Sequence, residues 1–281
     1  MKASEILNLF QKYGTWVNWE KTVDQLLFGD LEVEVRGIAV SWMPTFSNLE
    51  IALEANCNIF ITHESLFAAK IDENGKIIDC PIARDAHARW ATRRTKLAVD
   101  DVWIKKMEWL EQNNITVLRC HDFWDCYPDI GVHRAWAKWL GFNETPLKVS
   151  DYYELHKIPE MTLKELCKHI LEKIKPLGQD SVQVIGDLDK KISMLTLGTG
   201  AACNYREMHE FGGEAIVLSE DGTLLWESGQ WALDTKVPLI IVNHSLSEEP
   251  GMRTLSKYLG EKFPEVNVIH IPVGCIFKSI F

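Results

Sequence analysis

The feature that most restricts this chain is one recurring kind of segment. A short apolar, largely β-branched run stops at a histidine or an acid and gives way to helical periodicity. Residues 37–42 (Gly-Ile-Ala-Val-Ser-Trp), 58–62 (Asn-Ile-Phe-Ile-Thr), 115–119 (Ile-Thr-Val-Leu-Arg) and 237–242 (Val-Pro-Leu-Ile-Ile-Val) are of this kind. Apolar residues at consecutive rather than alternate positions imply burial on both faces, as in a parallel sheet covered by helices. Between the first two runs, Pro44-Thr-Phe opens a helix over 47–56 with Ser47 as its cap. The result is a strand–helix–strand unit, which favours parallel pairing.

The remaining chain continues this grammar. Residues 3–12 carry Ile6, Leu7, Leu9 and Phe10 on one helical stripe, with Ser4 as the cap. Asp72-Glu-Asn-Gly75 marks a small hairpin within 66–80, and 83–112 has helical periodicity in two pieces. The 132–140 helix is amphipathic, and its Trp136 and Trp139 read as core. Residues 141–161, with Pro146 and Pro159, read as a connection. Thr162 then caps a helix to about 174. Strands at 182–185 and 192–197, joined by an acidic turn, precede Gly198-Thr-Gly200. A helix over 204–211, a strand over 214–218, a turn at Glu220-Asp-Gly222 and a helix near 224–234 come next. After the 237–242 run, Pro250 opens a helix to 263, and 266–271 is the last strand.

Charge and cysteine usage narrow the function classes. Forty Asp and Glu against 30 Lys and Arg give a net charge of −10, which disfavours non-specific nucleic-acid binding. No run of about 18 apolar residues is present, so no membrane partner is expected. Glu5, Gln11 and Lys12 interrupt the first apolar stretch too early for a secretory leader. The seven cysteines are scattered without a CxxC pair, which fits free thiols in the cytoplasm. The sequons at Asn114 and Asn143 are then chance matches.

Three strand ends carry a histidine with acids close by: Thr62-His63-Glu64, His121-Asp122-x-x-Asp125 and His244-x-x-x-Glu248. Imidazole nitrogen and carboxylate oxygen together suit Zn, Mn or Fe(II). Two such ions about 3.5–4 Å apart can activate water for hydrolysis. Taken singly, each group is also an ordinary strand-end or helix-start arrangement. Gly198-Thr-Gly200 is either a tight turn or half of a phosphate cradle, since GTGAAC lacks the full glycine pattern. No GxSxG elbow is present. Cys120, beside His121, is either a nucleophile or a buried strand-end thiol. Arg84, Arg89, Arg93, Arg94 and Lys96 form either a solvated helix face or an anion or subunit contact.

In order, these motifs resemble the NGG-interacting-factor-three-like family, dinuclear-metal-centre proteins often named GTP cyclohydrolase 1 type 2. Asn18-Trp-Glu with Leu26-Leu-Phe-Gly29-Asp30 resembles the family's "WDNxGLxxGD", and residues 58–67 its "ITHHPLxF". Residues 114–125 resemble "IxVYxxHTxxD", Leu197-Gly-Thr-Gly200-Ala resembles "GTGAG", and residues 244–251 resemble "GHYxTExxG". The resemblance implies an α/β fold in which duplicated strand–helix units form two intertwined halves with a metal cleft between them. The halves would be 1–120 with 252–281, and 121–251, with no inserted regulatory domain.

It further implies two divalent ions per chain (Zn, Mn or Fe) held by His63, Glu64, Asp125, His244 and Glu248. His121 and Asp122 would be available for proton transfer. Glu64 stands where the family has a second histidine, which favours harder ions such as Mn or Mg or lowers the occupancy of one position. Residues 219–222 replace a "TGD" turn, and Asn243 replaces a glycine. A homo-oligomer, commonly a toroidal hexamer, is implied as well. The function expected is metal-dependent hydrolysis of an unidentified small molecule; the alternative is a non-catalytic metal-binding interaction or regulatory protein.

Overall fold

The computed structural model describes residues 1–66, 70–71, 77–79 and 101–280. The expected turn at 72–75, the part of the 83–112 helical stretch before residue 101 and the basic cluster Arg84, Arg89, Arg93, Arg94 and Lys96 lie outside them. Contacts group Met1–Phe123 with Ser256–Ile271 as one compact unit, and Trp124–Leu255 with Pro272–Phe281 as another. The chain is mixed α/β.

In the first unit a helix over Ala3–Tyr13 precedes β1 (Leu26–Phe28) and β2 (Gly37–Ser41). Lys2 rather than Ser4 holds the N-cap of that helix, and the Glu5 carboxylate accepts the Lys2 N–H at 2.7 Å. The helix after β2 covers Phe46–Glu54, and Thr45, not Ser47, accepts the Asn48 N–H. β3 (Ile59–Thr62), the short pair β4 (Lys70–Ile71) and β5 (Ile77–Asp79), a helix over Asp101–Gln112 and β6 (Thr116–Arg119) follow. The sheet order is β1-β6-β3-β2-β13, with β13 at Asn267–His270. β6, β3, β2 and β13 run parallel, and β1 is antiparallel at the edge. β2, β3 and β6 are buried at every position, as their unbroken apolar runs require. Leu49, Ala52, Phe60, Leu110, Ile115 and Val117 form the core of this unit.

The second unit contains the helix Val132–Trp139, β7 (Lys148–Val149), β8 (Tyr153–Thr162), the helix Leu163–Ile174, β9 (Gln183–Ile185) and β10 (Lys191–Gly198). The helix Tyr205–Glu210, β11 (Ala215–Ser219), the helix Leu225–Thr235 and β12 (Leu239–Val242) complete its sheet, ordered β7-β8-β10-β11-β12-β9. β10, β11 and β12 are parallel. Alternate residues feed two cores. Leu195, Val217 and Ile240 join Trp136, Leu166 and Ile170, whereas Ile216, Leu218 and Leu239 join Tyr205, Met208 and Ala232.

Two expectations are corrected here, at residues 153–162 and at the start of the last helix. Residues 153–162 are a strand, not a connection. Pro159 is accommodated because Lys157 pairs with Met194 and Met161 with Ile192, a bulge that removes the need for its missing N–H. The strands expected at 182–185 and 192–197 are present as β9 and β10; β9 pairs with β12 and β10 with β8 and β11. The helix expected from Pro250 begins at His244 and runs to Lys262, with Pro250 inside it.

Candidate metal centre

Parallel pairing places the first histidines. Thr62 on β3 is in register with Arg119 on β6, so the residues just beyond each strand emerge side by side. His63 and His121 accordingly stack, with ring centroids 4.4 Å apart and planes 14° from parallel. His63 is fully buried, and its Nδ1 donates to the Cys120 carbonyl at 3.2 Å. His121 Nδ1 donates to Asp122 Oδ1 at 2.9 Å, and Asp122 Oδ2 accepts from Thr22 Oγ1 at 2.8 Å. Burial alone would raise the Asp122 pKa, but the bonds from His121 and Thr22 outweigh it and bring it down to about 2.

The helix Asp122–Asp125 starts on the buried carboxylate of Asp24. That carboxylate accepts the N–H groups of His121, Asp122 (3.2 Å) and Phe123 (2.7 Å). Burial nevertheless pushes the Asp24 pKa up to about 6 against those donors. Arg119, 4% exposed, donates from Nε to the His63 carbonyl at 2.9 Å and from Nη2 to Glu64 Oε2 at 3.3 Å. Cys120 is a buried strand-end thiol.

In the second unit, three adjacent parallel strands end together, so β10 delivers Thr199-Gly200, β11 delivers Glu220-Asp221 and β12 delivers Asn243-His244. Glu220 accepts the His244 N–H at 2.8 Å and Asn243 Nδ2 at 2.7 Å, which caps the long helix. Burial raises its pKa. His244 lies between two carboxylates, with Nδ1 2.6 Å from Asp221 Oδ2 and Nε2 2.9 Å from Glu248 Oε1. Burial opposes protonation of the ring, but Glu248 and Asp221 together raise its pKa well above the usual imidazole value. Glu248 Oε1 also accepts from Thr199 Oγ1 at 3.3 Å.

Gly200 has φ +79°, and a Cβ there would lie 3.2 Å from Glu248 Oε1 and 3.4 Å from His244 Nε2. The Gly198-Thr-Gly200 segment is thus a tight turn whose glycine leaves room for this pair.

Two sets of side chains each offer ligand atoms within 4.8 Å of one another: His63, His121 and Asp125, and Glu64, His244 and Glu248. Every ligand expected from the sequence is among them, and His121, expected in proton transfer, joins the first set. The donors suit a borderline divalent cation. All three histidines also have Nδ1 engaged by a carbonyl or carboxylate oxygen, which assigns Nε2 as the nitrogen that would coordinate. Sequence reading missed the supporting groups Asp24, Arg119, Glu220 and Asp221. Only Glu220-Asp-Gly222 gave a signal, and that signal read as a turn.

The GTP cyclohydrolase 1 type 2 homolog of Clostridium acetobutylicum is 24% identical over 270 residues, covering 92% of this chain and 90% of that protein. A hypothetical protein of Staphylococcus aureus has the same fold, with TM-score 0.71 and 20% identity over 100% of this chain and 99% of its own. A Bacillus cereus protein related to NIF3 matches at TM-score 0.71 and 16% identity, again over 100% and 99%. The family described as Duf34/NIF3 (NGG1p interacting factor 3) matches residues 87–274, more than half of the 281, and the chain belongs to that family.

Proposed function

We propose that this protein holds two divalent cations per chain, Zn, Mn or Fe, one at each ligand set, and uses them to hydrolyse a small molecule. The observation that carries the reading is the same anchoring in three histidines, each with Nδ1 engaged by an oxygen so that Nε2 is left as the coordinating nitrogen. His63 and Glu64 are consecutive and serve one set each, which favours a paired centre over two unrelated sites. Divalent cations in such a centre supply Lewis acidity and make water nucleophilic near neutral pH.

The chain's own residues do the rest. Asp122, with its pKa near 2, stays ionised and holds the His121 Nδ1 proton, so it acts as a positioning residue rather than the general base. Asp221 Oδ2 accepts the His244 Nδ1 proton and so orients that ring, and Thr199 holds Glu248. The carboxylate-rich second set favours harder ions than the first. By the family resemblance, the chain works as a homo-oligomer in the cytoplasm. Among the described residues no helix is long and apolar enough to cross a membrane.

The test is elemental analysis of the purified protein together with turnover assays under Zn, Mn or Fe(II). The substrate panel would cover nucleotides, phosphoesters and cyclic amides, with GTP included because of the name its Clostridium relative carries. The expected outcome is about two cations per chain and turnover that His63→Ala and His244→Ala both abolish together with the metal. Bound cations without turnover under any loading would reject hydrolysis and assign the non-catalytic metal-binding role. No bound cation would reject both.

A further inference from the structure

Arg119 is a buried cation beside Glu64, and the expected ligand set does not account for it. Its guanidinium holds the His63 carbonyl at 2.9 Å and the Glu64 carboxylate at 3.3 Å. Two opposite effects on a cation bound through Glu64 follow from that contact. A guanidinium could fix the carboxylate in place and so help binding. It also engages one of the two carboxylate oxygens and puts a positive charge close to a dication, which weakens binding.

The backbone decides between them. Glu64 N–H donates to the Trp42 carbonyl at 2.8 Å, and Thr62 Oγ1 donates to the Glu64 carbonyl at 2.8 Å. His63 N–H donates to the Ser41 carbonyl at 3.3 Å. The strand end is therefore held in place without Arg119, and what Arg119 adds is chiefly its charge.

We propose that Arg119 sets the affinity of the cation served by Glu64, by competing with it for the carboxylate, so that the two positions fill in unequal steps. This rests on the metal reading above and concerns only how the two positions differ. Arg119 is then an affinity-determining residue and not a ligand. Single occupancy is the resting expectation at low cation supply, and the second cation enters only as supply rises.

The experiment is a titration of the full chain with Mn(II) or Zn(II) against a chromophoric chelator, with elemental analysis after dialysis to count cations. Wild type is expected to take up cations in two separated steps. Arg119→Met is expected to tighten the weaker step by about tenfold or more, the scale of removing one charge a few ångströms away in a largely buried site. Arg119→Lys, which keeps the charge, is expected to stay near wild type. In a Glu64→Gln background, where there is no carboxylate to compete for, Arg119→Met is expected to have a clearly smaller effect than in wild type.

Circular dichroism and a thermal melt check that each variant folds. Should Arg119→Met fail, Arg119→Gln, which keeps a donor for the His63 carbonyl, takes its place. A weaker step that is unchanged or loosened in the charge-removing variant overturns the proposal while leaving the metal centre standing. Uptake of no cation by wild type overturns the metal centre itself.

Discussion

At the scale of single residues, the centre depends on groups that orient ligands as much as on the ligands. Asp221 belongs to neither ligand set, yet through its contact with His244 it fixes which nitrogen of that ring is presented. Removing it should lower cation affinity by about 10–100-fold, the usual cost of losing such a partner. Its side chain is 44% exposed, so Asp221→Ala should leave the melting temperature nearly unchanged. A chelator-competition titration beside a thermal melt checks both halves of this prediction; a large loss of stability would show Asp221 to be structural. His63, His121 and His244 were legible in the sequence because each stands one or two residues past the end of an apolar strand. Of their partners, Asp122 and Glu248 were legible beside them, but Asp24 and Asp221 were not. Asp24 reaches His121 and Phe123 across most of the first unit's sequence, and no local pattern marks a carboxylate that acts at such a separation.

At the scale of elements, the long helix shows how a terminus can be set from outside. Pro250 suits a first turn, which is why the sequence places the start there. The actual start at His244 is made possible by Glu220, a cap supplied by the end of a neighbouring strand. This shift turns His244 and Glu248 into an i, i+4 pair on one helical face.

The same helix packs closely against the helix Val132–Trp139 through Gly251. A Cβ at Gly251 would lie 2.8 Å from Val132 Cγ2 and 2.9 Å from Val132 Cα, and the latter is backbone that cannot swing aside. Trp124 Nε1 also donates to the Gly251 carbonyl at 2.7 Å, which holds that turn in place. In an open helix, Gly→Ala would gain about 1 kcal/mol. Overpacking costs about 1–3 kcal/mol and wins here, so Gly251→Ala should destabilise the protein. Denaturant unfolding followed by Trp fluorescence measures it, and an unchanged or higher midpoint would refute the close-packing argument.

At the scale of the whole molecule, assembly is the open quantity. The helix Leu225–Thr235 leaves Leu225, Trp226 and Leu233 exposed (66%, 76% and 68%). A cluster of large apolar side chains on one helix marks an interaction surface. On the proposed homo-oligomer, light scattering should give a mass several times the 32.2 kDa chain, and Trp226→Glu should reduce it. A wild-type mass of one chain would end that proposal.

What the sequence determined by itself was the α/β grammar, the parallel strands and the strand-end histidines. These are properties of neighbouring residues, written in periodicity and in side chains adjacent to buried runs. Tertiary structure alone decided the strand at 153–162, the start of the long helix and the anchoring of each imidazole. It also decided the pairing of Arg119 with Glu64. Apart from the bond between the neighbours His121 and Asp122, each of these depends on a hydrogen bond or ion pair closed between segments far apart in the chain. The partner in such a contact is chosen by sheet register and packing, which no stretch of sequence carries alone.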